Sequence, residues 1–229
     1  MDYTKNWFIS DLHLGHDYVN QDGEHHGIIS FERHQFDTIE THDSYIALKL
    51  HEWGEKHRGE TLWNLGDLGR NFDIAYFIMG ELRYKYGITL NFIAGNHDRN
   101  CDREKIESMF DNVYYHPVYM GDRVILSHEP QYPLPEGCIN IHGHLHGAIL
   151  QDTNRYKNAS IDVIGYQPFS GKVIEKMLSK TPKADYHFLK EPFAHLYRFT
   201  QPKEDVVYDE KGNIDLNKSL NKFLIFKVV

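Results

Sequence analysis

Five short clusters in this chain gather side chains able to hold metal ions or move protons. They are Ser10-Asp11-Leu12-His13, Gly66-Asp67, Gly95-Asn96-His97-Asp98, Ser127-His128-Glu129 and His142-Gly143-His144-Leu145-His146. Carboxylate and amide oxygens together with imidazole nitrogens are donors suited to divalent transition metals. Taken singly, each cluster reads as a turn residue or a solvated loop acid. Taken jointly and in this order, they do not read as chance. A structural zinc site fits poorly, since it wants four ligands, usually with cysteines. This set offers at least seven donors, enough for two metals, whereas Cys101 and Cys138 are the chain's 2 cysteines and form no C-x-x-C pair. The 16 histidines are about three times what average composition would supply.

Each cluster follows an apolar stretch, and this suggests the elements that must position it. Trp7–Ile9, Glu60–Leu65 and Thr89–Ala94 read as buried strands, the last two ending at glycines. Between them, Ile46, Leu50 and Trp53 recur at helical spacing, predicting a helix over Asp43–His57. Ile74, Phe77, Ile78 and Leu82 predict another, closed by Gly87, and a short helix is expected over Asp102–Phe110. Leu14–Gln35 reads as a long polar loop. The second half reads as strands at Val113–His116, Arg123–Ser127, Cys138–His142 and near Ile161, then a helix over Phe169–Leu178. Strands alternating with helices argue for an α/β layered sandwich. In such sheets ligands gather beyond the carboxyl ends of strands, where all five clusters fall. His142, His144 and His146 would share one face if their strand continued.

Composition bounds the rest. The 229 residues are 41% hydrophobic and 25% charged, enough for a core. No stretch is long and apolar enough for a membrane helix, and the N-terminus lacks the apolar core of a signal peptide. With two cysteines, a reducing, cytoplasmic setting is expected. The net charge of -8 argues against gripping duplex DNA by broad charge neutralisation. Residues 183–229 carry 8 Lys+Arg against 7 Asp+Glu, while residues 1–182 carry 17 against 26. The expected organisation is a catalytic domain over 1–182 and a C-terminal β-rich extension over 183–229. That extension would pack on the domain or, alternatively, pair with a second subunit to form a homodimer.

The order D-x-H … G-D … G-N-H-D … H … G-H-x-H resembles the calcineurin-like metallophosphoesterases over residues 6–165, closest to small bacterial or phage-type members. The resemblance implies a four-layer α/β/β/α sandwich. It implies one metal held by Asp11, His13 and His146, a second by Asn96, His128 and His144, and Asp67 bridging them. The ions would be Mn²⁺ first, with Fe, Ni²⁺ or Zn²⁺ as alternatives. The implied activity is hydrolysis of a phosphodiester, or else a phosphomonoester, by metal-activated hydroxide, with His97 as general acid. The implied substrate is a small phosphoester, a nucleotide or a nucleic-acid end. The rival from another class is a non-catalytic metal-binding scaffold, which would be expected to lose ligands; none is missing.

Other residues invite weighing. Asp98 and Glu129 are candidate carboxylate partners for ligating imidazoles, or solvated loop acids. His16 could extend the site, while a solvated loop is the preferred account of His25, His26 and His34. Arg70 and Arg99 could contact phosphate, with a surface arginine preferred for each. Gly66-Asp-Leu-Gly-Arg70 lacks the acid and final glycine of the serine/threonine protein phosphatase motif, and the hydrolases of the lipid A pathway have Arg at the position of His97. Both departures disfavour those substrates. Tyr114, Tyr115 and Tyr119 are expected to pack a core rather than stack on bases.

Overall fold

The computed structural model describes residues 2–182. Its first sheet joins β1 (Asn6–Ile9), β4 (Thr61–Asn64), β5 (Thr89–Ile93) and β6 (Asn112–Tyr114) in parallel, with β11 (Phe169–Ser170) antiparallel on the β1 edge. Its second sheet has the order β10 (Tyr156–Asn158), β9 (Ile139–His142), β8 (Val124–Leu126), β7 (Val118–Met120), with β7 antiparallel to β8. The fold is α/β. Strands β4 and β5 and the end of β1 bury both faces, which is why they read as unbroken apolar runs. Phe8, Trp63 and Ile93 join Val124, Leu126, Ile139 and Ile141 of the second sheet in one core. Their strand neighbours Ile9, Leu62 and Phe92 face the other way, onto helices.

Those helices are α2 (Ile39–Lys56), α3 (Phe72–Gly80) continued by a π-helical turn (Glu81–Lys85), and α4 (Arg103–Met109). Ile46, Leu50, Trp53, Ile78, Met79 and Ile106 form their buried stripe. On the far side of the second sheet, Leu134 of the 129–138 loop covers Ile125 and Cys138. Residues 183–229, with the expected extension and its role in dimerisation, lie outside the described residues. Among the described residues no helix is long and apolar enough to cross a membrane.

Several boundaries differ from expectation, each for a local reason. Helix α2 begins four residues before the expected Asp43, because Thr38 accepts from the Thr41 amide while the Thr41 hydroxyl accepts from the Thr38 amide. The 14–35 segment is not one loop. It holds a hairpin, β2 (Asp17–Val19) with β3 (His25–Gly27), and a single turn α1 (Ile28–Phe31). Asn20 folds that hairpin, its side-chain oxygen accepting from the Asp22 and Glu24 amides. Near Ile161 the chain forms a helical turn, α5 (Ile161–Ile164), and the strand lies earlier, at β10. The expected helix from Phe169 splits into β11 and α6 (Lys172–Lys180) at Gly171, where a Cβ would collide with the Tyr3 carbonyl. Strand β7 was not foreseen at all.

Candidate metal centre

All five clusters sit just beyond strands: the first after β1, then β4, β5, β8 and β9. The chain turns there sharply. Six non-glycine residues among those described have positive φ, and five of them are Asp11 (61°), His13 (51°), Asp67 (53°), His144 (70°) and His146 (46°). Such left-handed backbone is unfavourable for side-chain-bearing residues and concentrates at functional sites. It also settles the condition set for the last cluster. Strand β9 ends at His142, so the three histidines do not share a face. His142 is buried, and its Nδ1–H donates to the Gly143 carbonyl at 2.8 Å. His144 and His146 swing into the cluster instead. Two glycines permit the close approach: a Cβ on Gly95 would collide with the Asp67 carboxylate, and one on Gly143 with Ser10 Oγ.

Seven side chains converge. Asp11, His13 and His146 form one group whose donor atoms lie within 4.8 Å of one another, and Asp11, Asp67 and His128 form a second; each could hold a metal ion. Asp67 Oδ2 stands 3.6 Å from His13 Nε2 and 3.3 Å from His128 Nε2, between the two groups. Asn96 Oδ1 completes the second side, 2.9 Å from His128 Nε2 and 3.0 Å from His144 Nδ1. The His144 amide donates to both oxygens of Asp11 at 3.1 Å, tying the last cluster to the first. Asp11 therefore reaches both groups, as Asp67 does.

The imidazoles are held so that one nitrogen faces inward. His128 Nδ1–H donates to the Leu65 carbonyl at 2.8 Å, and His146 Nδ1 meets Asp162 Oδ2 at 3.0 Å. His13 Nδ1 lies 2.8 Å from His16 Nδ1. The opposite nitrogen, His13 Nε2, is buried without a hydrogen bond. A buried polar atom without a partner is costly, and a cation among these donors would satisfy it. The residues present fit a divalent metal.

Electrostatics follow the same packing. Burial alone would raise Asp67, but its hydrogen bond from His128 and the charges of His128 and His13 hold it well below the usual carboxylate range. Against the opposing effect of burial, the Asp67 contact lifts His128 to about 9. Burial pushes His13 well down, and pushes His16 down to about 4, with His97 and Arg70 adding to the latter. His97 is exposed at the mouth, its amide donating to Asp67 Oδ1 at 3.0 Å. Its ring stands 5.2 Å from that of His13 and 5.0 Å from that of His16.

The remaining candidates separate cleanly. His16 joins the cluster. Asp98 is neither a solvated acid nor an imidazole partner. It is buried and accepts from the Asp67, Leu68 and Gly95 amides, clamping two of the loops together. Glu129 pairs with Arg99 at 3.0 Å on the surface, and Arg70 is exposed. His26 stacks on Tyr18, and His34 is exposed. Tyr114 stacks on Trp63, and Tyr119 packs beneath the second sheet.

Sequence reading missed the support behind His146. Arg33, fully buried just after α1, donates to both oxygens of Asp162, at 2.8 and 3.0 Å, and to the Asp11 and Leu12 carbonyls. His42 Nε2 accepts its remaining contact at 2.8 Å, and His42 Nδ1 in turn meets Asp43 Oδ1. Arg33 lies in the segment read as loop, and Asp162 in one read as strand, so neither had a motif to flag it.

No known family profile matches the chain. Among curated proteins, the Gene 66 protein of Mycobacterium phage D29 is 27% identical over 177 residues, 64% of this chain and 81% of that protein. The Gene 66 protein of Mycobacterium phage L5 is 28% identical over 180 residues, 64% of this chain and 80% of that one. Among solved structures, the protein of unknown function AQ665 from Aquifex aeolicus superposes with a TM-score of 0.54 at 23% identity, covering 75% of this chain and 98% of that one. That likeness is one of fold. Nuclease MPE of Pseudomonas putida is more distant, with a TM-score of 0.41 at 20% identity over 62% of each chain, too slight a likeness to carry function across.

Proposed function

We propose that this protein is a metal-dependent phosphoesterase that binds two divalent cations, Mn²⁺ foremost, and hydrolyses phosphodiesters in preference to phosphomonoesters. The observation that carries the reading is the convergence of seven oxygen- and imidazole-bearing side chains, with His13 Nε2 among them buried and making no hydrogen bond. Divalent cations in such a site supply charge for phosphoryl oxygens and bring the pKa of water toward neutrality. Asp11, His13 and His146 hold the first, Asn96, His128 and His144 the second, and Asp67 serves both. Asp162 and the Leu65 carbonyl orient His146 and His128 by taking the outward N–H of each ring. Two carboxylates do not cancel two divalent charges, so the centre remains positive on an acidic chain and attracts an anion locally. His97, at the mouth, donates a proton to the departing oxygen. The test is hydrolysis of p-nitrophenyl phosphate and bis-p-nitrophenyl phosphate with Mn²⁺, Ni²⁺, Zn²⁺ and Mg²⁺, alongside elemental analysis. Two metals per chain and chelator-sensitive turnover are expected. Full activity in excess EDTA would overturn the reading, and failure with every metal on both esters would favour the scaffold.

A further inference from the structure

The hairpin that follows His16 carries a cluster of rings that the reaction so far leaves unused. His16, packed against His13 and His97, directly precedes β2, so the two-residue alternation of a strand sends Tyr18 to the same side. Across the hairpin Tyr18 pairs with His26, and their rings stack at 5.7 Å with an interplanar angle of 21°. The ring of Phe31, in α1, lies 6.2 Å from that of His26, tilted 45° to it. Tyr18 is 51% and Phe31 66% exposed.

The cluster is built to hold its place. Asn20 Nδ2 donates to His26 Nε2 at 2.9 Å, while the Asn20 carbonyl oxygen shapes the turn. The Ile28 amide donates to the His16 carbonyl at 2.9 Å, fastening the far end of the hairpin to the residue beside the metal site. By contrast Tyr114 and Tyr119 pack against cores, as the sequence led one to expect.

We propose that Tyr18, His26 and Phe31 form a stacking surface for a nucleobase attached to the phosphoester cleaved at the metal centre. The inference rests on the phosphoesterase reading and names its substrate class. Exposed rings on the hairpin that directly follows His16, whose own ring packs on His13 and His97, match a ligand that is a phosphate at one end and a π-face at the other. The hairpin's own acids, Asp17, Asp22 and Glu24, disfavour a long polyanion lying along it. One base with its phosphate fits better than a duplex.

The test compares thymidine 5′-(p-nitrophenyl phosphate) with methyl p-nitrophenyl phosphate, which has the same leaving group and no base. Tyr18→Ser/Phe31→Ser is expected to lower kcat/KM for the thymidine ester roughly 5- to 100-fold, the span of base stacking, and to leave the methyl ester unchanged. Tyr18→Trp should retain the preference. Equal loss on both esters, or none on either, overturns the platform while the phosphoesterase reading stands. If the wild type turned over neither ester, that reading would fall. Calorimetric binding of thymidine 5′-monophosphate against methyl phosphate would still decide the platform. A wild-type preference lost in the double variant supports it, and no preference overturns it.

Discussion

The two halves of the candidate centre are braced in different ways. Around Asn96, His128 and His144 the support is backbone: the Leu65 carbonyl fixes the His128 ring, and Gly95 lets its loop meet Asp67. Around Asp11, His13 and His146 the support is side chains borrowed from distant segments. Asp162 orients His146, Arg33 holds Asp162 and two carbonyls of the Asp11 loop, and His42 and Asp43 back Arg33. The backbone-braced half is damaged chiefly through its own motif residues and through their immediate neighbours, Asn140 beside His128 and Asn64 before Gly66. The other half is exposed to mutation at positions that touch no substrate and belong to no motif.

The largest effect is expected from Asp67→Asn, because its carboxylate lies against both halves. Elemental analysis should show both metals lost and hydrolysis abolished. One full metal equivalent retained would assign Asp67 to a single half. His97 belongs to neither half, and His97→Asn should leave metal content intact. It should cost roughly 10²–10⁴-fold on an alkoxide leaving group, the range of general acid catalysis, and far less on p-nitrophenolate. Equal losses on both would make His97 a binding residue.

The contrast between the halves is tested directly by Arg33→Met. Removing the guanidinium frees Asp162 to turn, and one of two metal sites should weaken by about 10–100-fold, as loss of an outer-shell partner does. Calorimetric titration should show the second site unaffected. Uniform weakening of both would mean that the halves share their support. The smallest effect is a pH dependence behind Arg33. Burial lowers His42 from its ordinary 6.5, outweighing the Asp43 contact. The native state therefore keeps His42 neutral while the unfolded chain takes up a proton below that value. Stability contributed there is present above pH 6.5 and fades as pH falls. The melting-temperature gap between wild type and His42→Gln should narrow between pH 7 and pH 5; a constant gap would remove His42 from this linkage.

The same contrast explains what was legible in the sequence. The backbone-braced half lies wholly in short motifs at strand ends, where residue type and spacing speak for themselves. Arg33 and Asp162 were silent because their meaning arises only when segments 129 residues apart meet. Strands β1, β4, β5 and β9 and the helix-facing core were legible from their apolar runs. The β2–β3 hairpin was not, since three-residue strands give no period to read. The end of β9 at His142 was also legible, while the turns that carry His144 and His146 into the cluster have no period to read.

The left-handed backbone at the clusters has a consequence for anyone engineering this chain. At His144, with φ 70°, a glycine would relieve about 1 kcal/mol of conformational penalty. A heat-challenge screen of a mutant library would reward that exchange, together with its counterparts at His13 and His146. Hardier clones would emerge with the centre dismantled one side chain at a time. Any directed-evolution campaign for thermostability would therefore have to sort its survivors by metal retention before ranking them.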